Sequence, residues 1–317
     1  MEIILDILYL FVAAYTLYFL ALALRNLNDT SFKREKRYSQ YEEKDNLAVV
    51  IYSHNNKRTL ENLVRELKMQ DYPINNFKVF AILDNCSDGS QELFVNDSFV
   101  HVIDVKGVGT IGKDQAISIL LEQLSHDGLI DSYVFIDGDR SIAPDFLTTV
   151  NAALSKAHVI SGETIIDMKN LGPVDRVKAA YQKYHMNFIR KARSLFGLAS
   201  QADSGVFIIK QEIVKQIGDV DFKDINTELK YSLLLSKIKF KCTYNPNIQT
   251  VVDSANYIFR KPRLSYRLNL FKNCIPELFS TNFTFTEHAL SLLYPNIWLV
   301  LIIYFAVLKH SLYYQFI

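Results

Sequence analysis

The chain has little of what marks several large classes of protein. Of its 317 residues only three are cysteines (Cys86, Cys242 and Cys274), odd in number and far apart. That argues against a disulfide framework and for a reducing compartment. The seven histidines are scattered, with no pair at metal-ligand spacing, so a zinc site is not expected. Thirty-five Lys and Arg stand against 34 Asp and Glu, and a net charge of +1 supplies no global field to attract nucleic acid. No basic segment precedes the first apolar run, which is also long for a cleaved leader.

What the amino end does have is a long apolar segment. Ile3 to Leu24 is interrupted only by Asp6, Thr16 and tyrosines, and as a helix it reaches about 33 Å, enough to cross a bilayer core. Arg25, Lys33, Arg34, Lys36 and Arg37 follow it, so the positive-inside rule places the remainder on the cytoplasmic side of a cell membrane. The expected order is a transmembrane anchor over 1–25 and a basic linker over 26–46. A second expected span covers 289–309, although Pro295-Asn296 interrupts it. Between the body and that span, residues 259–288 interleave Arg260, Lys261, Arg263, Arg267 and Lys272 with Leu264, Tyr266, Leu268, Leu270 and Phe271. This reads as an amphipathic helix at the headgroup level, with a plain solvated face as the competing reading.

From Leu47 to Ile258 short β-branched runs alternate with helical segments, which predicts an α/β sheet of mainly parallel order. Strands are expected at 47–51, 77–83, 99–103 and 132–136, and helices at 59–69 and 114–124. Ligands of such sheets sit beyond the carboxyl ends of the strands. Three successive ends here are polar: Ser53-His54-Asn55, Asp84-Asn85-Cys86-Ser87-Asp88-Gly89, and Asp137-Gly138-Asp139. Two carboxylates one residue apart raise one another's pKa unless a cation lies between them. A hard divalent ion that completes its shell with substrate phosphates, Mg2+ or Mn2+, suits Asp137 and Asp139. A polar turn after a buried strand would leave the same three letters.

Gly107-Val108-Gly109-Thr110-Ile111-Gly112-Lys113 satisfies both G-x-G-x-x-G and most of a Walker A loop. Asp114, however, stands where a P-loop needs Ser or Thr, and a dinucleotide fold carries this loop after its first strand rather than its third. Neither reading is adopted. Lys113 at a helix amino end remains suited to a phosphate oxygen.

Taken together these segments resemble the inverting family 2 glycosyltransferases of GT-A fold, in the membrane-anchored branch with cellulose- and hyaluronan-synthase-like enzymes. Val49 to Asn55 resembles the family's first strand, with Asn56 where its H-N-E ending has an acid. Leu83-Asp84-Asn85-Cys86-Ser87-Asp88-Gly89-Ser90 is similar to A-D-N-C-T-D-x-T, and Gly112-Lys113 to a nucleotide-contacting G-K pair. Asp137-Gly138-Asp139 is similar to the D-x-D element, and Asp203-Ser204-Gly205-Val206-Phe207 to a G-x-G-x-F stretch beside donor sugar and acceptor. Asn226-Thr227-Glu228 is similar to the T-E-D helix start, with Glu228 at the aspartate's place.

The resemblance implies a 47–258 GT-A domain. Ser53, His54, Asp84, Lys113, Asp137 and Asp139 would hold a nucleotide-diphosphate sugar, with a UDP-sugar as the expected donor. Asp84 would meet the base, Asp137 and Asp139 the metal, and Asp203, Ser204 and Gly205 would form the loop at donor sugar and acceptor. Glu228 would be the catalytic base, although another register of this helix would take that role from it. A lipid-linked or polysaccharide acceptor and partner membrane proteins fit the anchoring.

Glu in place of Asp moves the carboxylate by one methylene, and the Q-x-x-R-W element of processive synthases is not recognisable around Pro262-Arg263-Leu264-Ser265-Tyr266. A competing reading is therefore a catalytically weak GT-A domain that binds nucleotide sugar, or assembles, within a membrane complex.

Overall fold

A computed structural model of the protein describes residues 2–27, 43–95, 97–107, 109–124, 128–168, 171–200, 205–217, 227–252, 264–278 and 282–293. The body opens with β1 (Leu47–Ser53), α2 (Lys57–Lys68, α1 being the amino-terminal helix described below), β2 (Phe77–Asp84) and β3 (Val100–Val105). It continues through α3 (Lys113–Leu124), β4 (Ser132–Asp137), β5 (Arg140–Ile142), α4 (Phe146–Leu154) and β6 (Val159–Ile166). Then come α5 (Pro173–Tyr184), α6 (Lys191–Leu195), β7 (Val206–Lys210), α7 (Gln211–Ile217), α8 (Thr227–Lys237) and β8 (Thr243–Val252). Two carboxyl-terminal helices follow, α9 (Leu264–Cys274) and α10 (Phe283–Ser291).

These strands form an eight-stranded sheet in the order β3-β2-β1-β4-β7-β6-β8-β5. Pairing among β3, β2, β1 and β4 is parallel throughout, as the continuous apolar runs predict. Their side chains divide by period 2. Val49, Ile51, Val79, Ala81, Val134 and Ile136 pack toward α2 and α4, while Ala48, Val50, Phe80, Ile82, Tyr133 and Phe135 pack toward α3 and α7. α2 presents Leu60, Leu63, Val64 and Leu67, all buried, at the spacing of one helix face. Each contributes about 1.5–3 kcal/mol by burial, and Leu63→Ala would cost about 2–5 kcal/mol.

The second half of the sheet departs from the expected parallel order. β7 runs antiparallel to both β4 and β6, and β5 antiparallel to β8, with β6–β8 parallel. The register between β6 and β8 shifts between Ser161 and Glu163. The extra β8 residues there include Pro246, which has no amide to give the ladder.

α1 is a continuous 26-residue helix, Glu2–Leu27. Leu10, Leu17, Leu20 and Leu24 are exposed and Leu22 is buried. Among the described residues no helix is long and apolar enough to cross a membrane. The carboxyl end of α1 is docked on the body: Asn26 Nδ2 donates to Phe188 O at 2.8 Å, and the Arg25 guanidinium reaches Leu195 O at 3.4 Å. Asn26, expected to begin a linker, is thus the last docked turn of a helix; residues 28–42 lie outside the described part.

The expected 289–309 span is also modified at its start. Ala289 and Leu292 are buried with Leu233, Cys274 and Phe285, so the first turn belongs to the folded body, while residues 294–317 lie outside the described part. α9 forms within the expected interfacial segment. Its Tyr266, Leu270 and Phe271 pack on that same cluster, whereas Leu268 is exposed.

Candidate active site

The site forms where β1, β2 and β4 end side by side. Gly138 N donates to Tyr52 O at 2.7 Å, which carries the end of β4 against β1. A Cβ at position 138 would lie 2.9 Å from Ser53 Cβ and 3.1 Å from Tyr52 O, so only glycine allows this approach. The approach holds Asp137 and Asp139, which flank Gly138 in the chain, near the β1 terminus. Ser53 itself is fully buried beneath Gly138, and its hydroxyl has no hydrogen-bond partner among the described residues. His54 Nδ1 meets Asp84 O at 2.6 Å and ties the ends of β1 and β2 together.

Asp84 is also fully buried. Its Oδ1 accepts from Ile111 N at 3.0 Å, and its Oδ2 from Gly112 N at 2.9 Å and Tyr52 OH at 2.8 Å. The resemblance gives this carboxylate to a nucleobase; here it is enclosed by protein and holds the loop that precedes α3. The sharp turn of that loop uses Gly112 at φ 85°, a conformation natural to glycine. Burial and the neighbouring Asp84 charge raise the pKa of Tyr52, so its phenol stays a donor. Asp88 has a structural task. Its Oδ2 accepts from Lys57 N at 2.7 Å and caps α2 from a distance, since Asn56 makes no side-chain cap. Partial burial pulls its pKa up, but hydrogen bonds from Ser90 and the Lys57 amide hold it below the ordinary value.

Held by Asp84, the loop delivers Lys113 at the amino end of α3 to β4: Lys113 Nζ is 2.5 Å from Asp137 Oδ1. On the other side, Arg140, at the start of β5, places Nη2 3.3 Å from Asp137 Oδ2 and Nε 3.0 Å from Asp139 Oδ1. Burial raises the pKa of Asp139 against the opposing pull of Arg140, with Asp137 adding to the rise. Gly205 closes this corner: a Cβ there would collide with Thr164 Oγ1 and come 3.5 Å from the Arg140 guanidinium. Asp203 and Ser204 lie outside the described residues. Glu228 is the second residue of α8, at the helix amino end, and its side chain lies outside the described part.

The family model for glycosyl transferase family 2 matches residues 48–218, more than half of the chain. The chain belongs to glycosyltransferase family 2. No curated protein matches it. Among solved structures it is similar to the mannosyltransferase PcManGT from Pyrobaculum calidifontis in complex with GDP-Man and Mn2+. That match has a TM-score of 0.58 at 16% identity, over 97% of this chain and 86% of that one. It is also similar to residues 1–349 of S. aureus TarS in complex with UDP-GlcNAc (TM-score 0.51, 12% identity, 76% and 69% covered). A third similar structure is GalNAc-T7 with UDP, GalNAc and Mn2+ (TM-score 0.51, 15% identity, 74% and 50% covered). At these identities the likeness establishes the fold, a mixed α/β sheet of GT-A type.

Among the described residues no group of three or more His, Cys, Asp or Glu side chains could hold a metal. Mg2+ and Mn2+ ask for less, since such ions commonly take one or two carboxylates and fill the shell with phosphates and water. The donor set here fits that demand. Asp139 Oδ1 is buried without a hydrogen bond, its contact with Arg140 being an ion pair only. It is an acceptor that a hard cation would satisfy.

Sequence reasoning located the acids but missed Tyr52 as a partner of Asp84. Its signal was a hydroxyl-bearing ring at the polar end of an apolar strand. Arg140 did carry a legible signal, a cation directly after the acidic pair.

Proposed function

We propose that this family 2 glycosyltransferase moves a sugar from a nucleoside-diphosphate donor, a UDP-sugar first among them, to an acceptor hydroxyl with inversion. The observation that carries this reading is the convergence at one point of the Asp84-held loop, Lys113 and Asp137. Diphosphate chemistry needs a positive group fixed beside a metal-binding acid, and that is what the loop presents.

Lys113 would orient the diphosphate, aided by the amino end of α3. Bound at Asp137 and Asp139, Mg2+ or Mn2+ would supply Lewis-acid charge to the departing diphosphate. Glu228 would take the proton of the acceptor hydroxyl as it attacks the anomeric carbon from the opposite face. Asp203, Ser204 and Gly205 would line the donor sugar and acceptor.

The proposed place of action is the cytoplasmic face of a cell membrane, on a lipid-linked or polysaccharide acceptor, with membrane proteins as partners. Support for this comes from the exposed leucines of α1 and the basic and apolar residues interleaved along α9.

The test is a panel of nucleotide sugars with Mn2+ or Mg2+, scored for diphosphate release and sugar transfer by the full chain in membranes. Glu228→Gln is expected to abolish transfer while nucleotide binding persists. Binding of nucleotide with no turnover of any donor would overturn the enzyme reading in favour of a nucleotide-sugar-binding subunit.

A further inference from the structure

The acidic pair already has cations of its own. Lys113 holds one oxygen of Asp137, and Arg140 spans the other oxygen of Asp137 and Oδ1 of Asp139. Arg140 is no surface side chain drifting onto an acid: it is 7% exposed, and its backbone is fixed by pairing with Val252 in β8. Gly205 packs against its guanidinium from a third element, where any larger residue would press on it. Two carboxylates and two resident cations leave the cluster formally neutral. Donor-site acids that awaited a divalent ion alone would gain nothing from a buried arginine bridging them.

We propose that Arg140 is a resident counter-cation of Asp137 and Asp139 that makes metal and donor diphosphate load together. A divalent ion arriving alone must displace the guanidinium and then sit beside two positive side chains. An ion arriving with a diphosphate brings the negative charge that those side chains need. Free metal therefore binds weakly, and nucleotide strengthens its binding. Arg140 is in this sense a positioning residue: it sets the order and metal dependence of loading by holding the carboxylates, and it fits the planar two-point geometry that lysine does not. The inference rests on the donor site described under Proposed function.

The experiment uses the full chain in detergent and titrates Mn2+ by electron paramagnetic resonance, without nucleotide and with saturating UDP. In the unaltered protein UDP is expected to tighten Mn2+ binding at least about tenfold, since each charge near the ion acts at close range in a medium of low effective dielectric constant. Arg140→Gln, which keeps a polar head and drops the charge, is expected to bind free Mn2+ about tenfold or more tightly than the unaltered protein, with a correspondingly smaller gain from UDP. Arg140→Lys, which keeps the charge but not the two-point geometry, is expected to bind free Mn2+ with an affinity between those of Arg140→Gln and the unaltered protein.

Equal free-Mn2+ affinity in Arg140→Gln and the unaltered protein would overturn the proposal. So would Mn2+ affinity in the unaltered protein that UDP leaves unchanged, a measurement that does not depend on any variant folding. If neither UDP nor GDP binds at any Mn2+ concentration, the donor reading itself fails. If nucleotide binds with Mn2+ but Arg140→Gln changes nothing, only the role of Arg140 fails.

Discussion

Arg193 and Glu287 form a buried ion pair whose removal should reach from the folded body to both ends of the chain. Arg193, in α6, donates from Nη1 and Nη2 to Oε1 and Oε2 of Glu287, each at 2.7 Å. Nη1 also reaches Tyr18 OH of α1 at 2.9 Å, and Nε donates to Ala199 O at 3.0 Å. The two side chains are 7% and 12% exposed, so solvent screens the pair little. Burial pulls the Arg193 pKa down, but Glu287 and then Tyr18 hold it above its ordinary value. Glu287→Gln keeps the shape and removes the charge, leaving a buried guanidinium uncompensated, a loss of about 3–5 kcal/mol. With an unfolding entropy of about 2.1 cal/mol/K per residue, that is a fall of about 4–8 °C in Tm for a chain of this length. Replacing both partners by apolar residues, Arg193→Met with Glu287→Leu, should recover most of the loss, because no buried charge then remains. The assay is thermal unfolding of the full chain in detergent, with refolding checked, for Glu287→Gln, for the singles Arg193→Met and Glu287→Leu, and for their double. A Tm for Glu287→Gln within about 1 °C of the unaltered protein, or a double variant as unstable as the sum of the singles, would refute the reasoning.

Further outcomes follow from the same geometry. Asp84→Asn puts an amide donor against one of two backbone amides, so UDP affinity measured by calorimetry should fall about tenfold or more, with unchanged affinity counting against the loop-holding role. Gly138→Ala must push β1 and β4 apart at their tips; sugar transfer should drop about a hundredfold while the unfolding transition moves little, since ~1 Å of misplacement suffices. His288 is completely buried and accompanied by Ser236 Oγ at 2.8 Å, and burial, then the charge of Arg193, lower its pKa to about 3. Because the folded value lies below the unfolded one, stability is intact above about pH 6.5 and declines below it by up to about 1.4 kcal/mol per pH unit, as the unfolded chain alone takes the proton. A variant such as His288→Gln should flatten that slope in unfolding measured between pH 4 and 7, and an unaltered slope would exclude His288 as its source.

Much of the fold was legible because its first half obeys simple periodicities. The runs at Leu47–Ser53, Phe77–Asp84 and Ser132–Asp137 are apolar on both faces, which only a sheet covered on both sides tolerates. The second half was less legible for physical reasons. Val206–Lys210 is short and its direction is set by pairing with β4 rather than by its own residues, and Pro246 interrupts the β8 run at a bulge. The Arg193 cluster left no trace in the sequence, since Tyr18, Arg193 and Glu287 are far apart and only tertiary packing unites them. The membrane-proximal segments were read from composition alone. Composition did not foresee that Ala289, Leu292, Tyr266 and Phe271 would be drawn into a common cluster with Leu233 of α8.

At the site, pattern fixed where the acids stand but not what they face. A signature such as Asp84-Asn85-Cys86-Ser87 places a carboxylate at a strand end; it does not say that two amides and a phenol will enclose it. The same holds for Asp137 and Asp139. Ending three parallel strands together concentrates negative charge in a region of low dielectric, and a fold stable before ligand arrives must neutralise it from within. Lys113 does so through a loop that Asp84 holds, and Arg140 does so from the strand that follows the acids. On the proposed reading, affinity for metal would be a contest between an incoming ion and two side chains already in contact with Asp137 and Asp139. That makes Arg140, rather than either aspartate, the residue whose replacement says most about how this site works.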